Sequence, residues 1–117
     1  MLRLLRAMRN TVNGLLVCAR SEQAFRQELA ILVIALPLAV FVATSAWRWV
    51  TLIGVLLLVL VIELLNTGLE KLADHMTRET HPAIGRIKDM GSAAVGLSLV
   101  IAGLVWLAAL AERLGLI

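Results

Sequence analysis

Three apolar stretches, each close to twenty residues long, fill about half of this sequence and are almost free of charge. They cover residues 29–47, residues 49–65 with Glu63 as the sole charged group, and residues 91–111. A helix crossing the hydrocarbon core of a bilayer needs about 20 mostly apolar residues. Backbone polar groups at that depth must be satisfied within the segment itself, so the pattern predicts an all-α membrane protein with three transmembrane helices. Hydrophobic residues make up 61% of the chain, against roughly 45–50% in soluble domains, and the surplus must face lipid or partner subunits. The 117 residues allow a single membrane domain.

Within it, residues 1–27 read as an amphipathic surface helix with its lead-in, 28–47 as the first span, and 49–70 as the second span with a cytoplasmic extension. Residues 71–88 read as a cytoplasmic loop and 89–111 as the third span. Arg48 alone separates the first two apolar stretches, which predicts a tight helical hairpin with Trp47 and Trp49 at the water interface. Pro37 is expected to kink its helix without ending it. Positive charges number five before the first span (Arg3, Arg6, Arg9, Arg20, Arg26) and one between the first two (Arg48). Four follow in the next connection (Lys71, Arg78, Arg86, Lys88), and Arg113 alone follows the third span. By the positive-inside rule the N-terminus and second connection face the cytoplasm and the C-terminus the far side. On a wheel of ~100° per residue, Arg3, Arg6, Arg9, Asn10, Asn13 and Arg20 oppose Leu4, Leu5, Met8, Val12, Leu15 and Leu16. This is the pattern of a helix lying on a membrane surface.

Other classes fall away. A net charge of +3 is too small and scattered for nucleic acid, and the arginines beside apolar segments point to anionic lipid headgroups. The first twenty residues mix arginine and leucine throughout, unlike a cleavable signal peptide. Cys18, the only cysteine, excludes an intrachain disulfide and a cysteine-based metal site and reads as a small helix filler.

The polar residues inside this greasy frame carry the functional information. In VIELLNTGLEKLAD, Glu63, Asn66, Glu70 and Asp74 fall within ~80° of one another on a helical wheel. One stripe thus runs from inside the apolar segment toward the water. A central acidic residue costs roughly 2.5–3.5 kcal/mol on insertion scales, and two acids with an amide exceed what a packing stripe requires. Glu63 and Glu70 are two turns apart, about 10 Å, so one can serve something at lipid depth and the other something in water. Intramembrane ionisable groups face a bundle interior or a watery cavity, and three helices offer little enclosure, so neighbouring chains are expected to close the site. Ser21 with Glu22 suits a helix start, though this does not explain Glu22, Arg26 and Glu28 together at a membrane boundary. The run from Gly91 to Gly96 predicts close helix approach, with Lys88 and Asp89 at its mouth. Carboxylates with phosphate suit Mg²⁺, and two histidines are too few for a transition-metal site. There is no Walker P-loop or kinase glycine loop, so phosphoryl transfer here would rely on metal ions, Lys88 and arginines.

SEQAFRQE, VIELLNTGLEKLAD and HPAIGRIKDMGSAAV, in this order and at this spacing, resemble the small bacterial diacylglycerol kinases of the inner membrane over nearly the whole chain. The resemblance implies ATP as phosphoryl donor, diacylglycerol as acceptor, phosphatidic acid as product, and a homotrimer with shared active sites. It implies Glu22 and Glu70 as Mg²⁺ ligands on the ATP phosphates, Glu63 as general base on the lipid hydroxyl, and Asn66 as an orienting group. Lys88, Asp89, Glu79 and His81 would contact nucleotide, Ser92 would lie near the lipid, and Arg3 near both phosphates and lipid headgroup. Asn10 stands where family members often stack an aromatic residue by the nucleotide, and Thr80 where an aromatic precedes the histidine, so the base contacts differ. With shared sites, Glu22 and Glu63 variants are expected to complement one another in mixed oligomers. Polyprenol kinases carry similar motifs and remain the alternative acceptor class; a non-enzymatic membrane subunit is the alternative of another kind.

Overall fold

The computed structural model describes residues 1–77 and 79–117; Arg78, one of the four charges counted for the second connection, lies outside them. The described residues form four helices: α1 (Leu2–Ser21), α2 (Gln23–Val42), α3 (Ala46–Met76) and α4 (Pro82–Arg113). The last three are long and apolar enough to cross a membrane. α3 is the spine, with α4 packed along most of it and α2 along a shorter stretch.

The ends of these helices depart from the expected boundaries. Ser21 closes α1 and does not start α2, because Glu22 is extended (φ −119°, ψ 114°) and stands between the two helices. Its N–H donates to the Cys18 carbonyl at 2.9 Å, and its own carbonyl accepts from Arg26 N at 3.3 Å. The Arg26 guanidinium turns back and donates to the Ala19 and Arg20 carbonyls at 2.8 and 3.1 Å, satisfying acceptors that a helix C-terminus leaves open. The first span ends at Val42 and not at residue 47. Ser45 caps the next helix, its hydroxyl accepting from Arg48 N at 3.2 Å, so Arg48 sits in the first turn of α3 and the hairpin bend is residues 43–45. Pro37 is accommodated within α2 as expected.

The region assigned to a loop, 71–88, is mostly helix. α3 continues to Met76, since polar residues at its end are solvated without breaking the helical period, and α4 starts at Pro82. His81 caps α4, Nδ1 accepting from Ala83 N at 3.1 Å, and proline suits the first helical position, where no N–H is required. At 1.5 Å per residue α3 and α4 are each roughly 46–48 Å long, well beyond the hydrocarbon thickness of about 30 Å. Their charged ends therefore project from the membrane together.

In lipid, close packing replaces the hydrophobic effect, and small residues let helices approach. Accordingly the buried positions of α2 and α4 are mainly Ala35, Ala39, Ser98, Ala102 and Ala109, of which Ala35, Ala39 and Ala109 cluster with Leu52 and Ile53 of α3. The Trp106 indole donates to the Leu52 carbonyl at 3.1 Å, and that of Trp49 to Leu36 at 3.2 Å. Trp49 thus packs inward, whereas Trp47 is exposed. A second cluster, of Cys18, Phe25 and Leu60, wedges the α1–α2 break against α3. Cys18 is a filler there, its thiol 3.7 Å from the Thr67 hydroxyl, and burial pushes its pKa up, away from reactive thiolate. At the opposite end Glu112 accepts from Arg48 Nε and Nη2 at 3.0 and 3.1 Å and from the Thr44 hydroxyl at 2.7 Å. The apolar faces of α1, α2 and α4 otherwise stay uncovered, Val33, Phe41, Leu97 and Leu104 among them.

Candidate active site

α3 carries the stripe as its period requires, and burial grades along it. Glu63 is only 6% exposed, Asn66 and Glu70 are half-buried, and Asp74 is exposed. The expectation that one chain encloses the stripe too poorly therefore holds for Asn66 and Glu70 but not for Glu63. The Asn66 amide donates to Glu70 Oε1 at 3.4 Å, an i, i+4 contact along one helix face, while its Oδ1 is buried without a hydrogen-bond partner among the described residues.

The break between α1 and α2 delivers further carboxylates to this stripe. Glu22, at the break, and Glu70 both lie within electrostatic range of Glu63. Glu28, one and a half turns into α2, is also within range of Glu63, and its Oε2 is buried with no partner among the described residues. Sequence reasoning left Glu28 without a role; the available signal was an acid at the margin of an apolar run. Among the described residues the two ion pairs are Arg48–Glu112 and Lys88–Asp74. Glu22, Glu28 and Glu70 thus each lie within electrostatic range of Glu63, and none of the four is ion-paired among the described residues, which suits a site that receives cations. No three His, Cys, Asp or Glu side chains form a ready-made metal shell among the described residues. An ion here would complete its shell from elsewhere, as Mg²⁺ usually does with water and phosphate oxygens.

Outward from the stripe, a cleft of about 210 Å³ is lined by Asp74, Thr77, Glu79, His81, Gly85 and Lys88, among others. Lys88 Nζ donates to Asp74 Oδ1, which brings the first turns of α4 into register with the polar end of α3. The structure thus gathers Glu79, His81 and Lys88 around one opening, which the stripe reaches at Asp74, one turn beyond Glu70. It does not gather the rest. Asp89 and Ser92 are exposed on α4 and do not line the cleft. Arg3 and Asn10 lie on the exposed part of α1, whose only buried residue is Cys18. Along the helix Arg3 stands about 28 Å from Glu22.

The sequence profile of the prokaryotic diacylglycerol kinase family matches residues 9–110. The chain is 36% identical over 103 residues to a diacylglycerol kinase of Haemophilus influenzae, covering 88% of this chain and 87% of that one. It is 36% identical over 104 residues to the Escherichia coli diacylglycerol kinase (89% and 85%) and 35% identical to that of Helicobacter pylori (89% and 81%).

Proposed function

The chain belongs to the prokaryotic diacylglycerol kinase family, and from that premise we propose that it transfers the ATP γ-phosphoryl group to the hydroxyl of diacylglycerol, giving phosphatidic acid. The reaction is placed at the cytoplasmic face of the bacterial inner membrane, with the N-terminus cytoplasmic and the C-terminus periplasmic. Membership in this family makes the protein a lipid kinase, which sets aside the non-enzymatic alternative. The observation that carries the reading is the continuous polar path from buried Glu63 through Asn66 and Glu70 to the cleft at Glu79, His81 and Lys88. A water-soluble donor and a lipid acceptor can meet along such a path.

Glu63, at lipid depth, takes the proton of the acceptor hydroxyl as its oxygen attacks the γ-phosphorus and the bond to the bridging oxygen of ADP breaks. Glu22 and Glu70, without an ion-pair partner among the described residues, would hold Mg²⁺, which screens phosphate charge when bound. Asn66 fixes the Glu70 carboxylate. Lys88, His81 and Glu79 bind the nucleotide, with Asp89 beside them on α4 and Ser92 near the lipid. Lys88 must exchange Asp74 for phosphate, a small change because exposed ion pairs are worth only about 0–1 kcal/mol. Below Glu28 and Glu63 a wholly apolar groove of about 350 Å³, lined by Ile31, Leu56, Gly103 and Trp106 among others, gives an acyl chain a path. Arg3 and Asn10, on the exposed part of α1, would serve the site of a neighbouring chain in a homotrimer with shared sites.

The test is ATP turnover in mixed micelles with diacylglycerol and, separately, a polyprenol. Diacylglycerol should be phosphorylated; turnover with polyprenol alone would overturn the acceptor. Inverted membrane vesicles should use added MgATP and right-side-out vesicles should not; the opposite pattern would overturn the orientation. For the metal ligands, Glu22→Gln and Glu70→Gln should each raise the Mg²⁺ concentration needed for half-maximal turnover, since each removes a charge from the ion's shell. Unchanged Mg²⁺ titrations for both would move the metal site elsewhere.

A further inference from the structure

We infer that Gly91 is a positioning residue for the phosphoryl-transfer site: its missing side chain is the space in which the Asn66 amide is seated. A Cβ built at Gly91 would stand 2.1 Å from Asn66 Oδ1, 3.2 Å from Asn66 Cγ and 3.2 Å from Leu69 Cδ2. Heavy atoms do not coexist at the first of these separations. Gly54, Gly68, Gly85, Gly96 and Gly103, also within helices, have nothing within 4 Å of the corresponding position. The run of small residues at 91–96 is therefore not a uniform packing seam within the chain. Gly91 alone among these glycines makes the close approach, and it makes it against a residue of the site.

The Asn66 amide is held from two sides. Nδ2 donates to Glu70 Oε1, and Oδ1 is pressed toward the α4 backbone with no donor to meet it, leaving only the weak attraction of a Cα–H. Any side chain at 91 drives the amide off this seat. The displacement passes to Glu70, the other end of the 3.4 Å contact. Gly91 follows Lys88 by one turn, and the packing of α4 along most of α3 sets the register that places Gly91 opposite Asn66. The glycine thus couples the seating of α4 on α3 to the carboxylate proposed to hold Mg²⁺. The inference rests on the roles proposed for Asn66 and Glu70.

The experiment compares Gly91→Ala, Asn66→Ala and the double variant, as assembled protein in detergent, by turnover, Mg²⁺ dependence and melting temperature. Gly91→Ala should lower turnover by on the order of 10²-fold, as expected when a reacting group moves by about 1 Å, and should raise the Mg²⁺ requirement and lower the melting temperature. In the Asn66→Ala background the added methyl meets no amide, so the double variant should melt with Asn66→Ala and need no more Mg²⁺. Coupling of this kind is what a mutant cycle isolates. Normal turnover for Gly91→Ala would overturn the inference, as would an equal loss of melting temperature in both backgrounds. If Asn66→Ala alone leaves turnover and Mg²⁺ dependence unchanged, the role proposed for Asn66 fails and this inference with it.

Discussion

Replacing Glu63 by glutamine should reduce turnover by about 10²–10⁴-fold, the range for losing a general base, while MgATP binding stays close to that of the unaltered protein. Glutamine keeps the volume and polarity of a side chain that is only 6% exposed, so the packing around it is preserved. What it lacks is the capacity to accept the hydroxyl proton. Glu63 is also a full two turns, about 10 Å, from Glu70, which separates proton removal from metal binding. Equilibrium nucleotide binding and single-turnover phosphorylation on the same preparation distinguish the two. Turnover within a few-fold of normal would make Glu63 a packing residue and sink the assignment.

Mixed oligomers of Arg3→Gln and Glu63→Gln should recover activity that neither variant has alone. Arg3 stands about 28 Å along α1 from the Glu22 break, and in the proposed shared-site arrangement the phosphate it meets belongs to a neighbour. Random equal mixing in a closed ring gives about one quarter of sites a native core and a native neighbouring arginine, and turnover should approach that fraction. Glu22→Gln mixed with Glu63→Gln is the control. Sequence reasoning divided these two glutamates between chains, but the fold sets them within electrostatic range in one chain, so this mixture should stay inactive. No recovery with Arg3→Gln, in oligomers shown by crosslinking to be mixed, would rule out a shared site through α1.

Hydropathy and periodicity disclosed much of this architecture. The three spans, the amphipathic α1 and the stripe from Glu63 to Asp74 were all legible, because each is a property of one helix. Helix ends were not. Hydropathy reports a preference for lipid, whereas an end is set by hydrogen bonds: α2 stops at Val42 among apolar residues because Ser45 caps the start of α3, and α3 continues past Glu70 because its charged turns remain helical. Contacts between helices were equally hidden. The approach of Glu28 to Glu63, the pairing of Asp74 with Lys88 and the fit of Asn66 against Gly91 depend on inter-helix register. A wheel drawn for a single segment does not contain that quantity.

The tie of Arg48 to Glu112, with Thr44 joining it, has a mechanical consequence. Two parallel bonds and a third from the neighbouring bend form a network, unlike the isolated surface pairs that contribute little. It fastens the bend after α2, the start of α3 and the end of α4 at one point. At the other extremity only α3 and α4 are joined, by the short segment between Met76 and Pro82 and the exposed Lys88–Asp74 pair, which leaves α2 without such a tie among the described residues. The bundle is therefore built like tongs with a closed heel. Any spreading of the bundle falls at the jaws, on the side of Glu28 and Glu63, and under the proposed reaction acceptor and product would pass through one and the same leaflet.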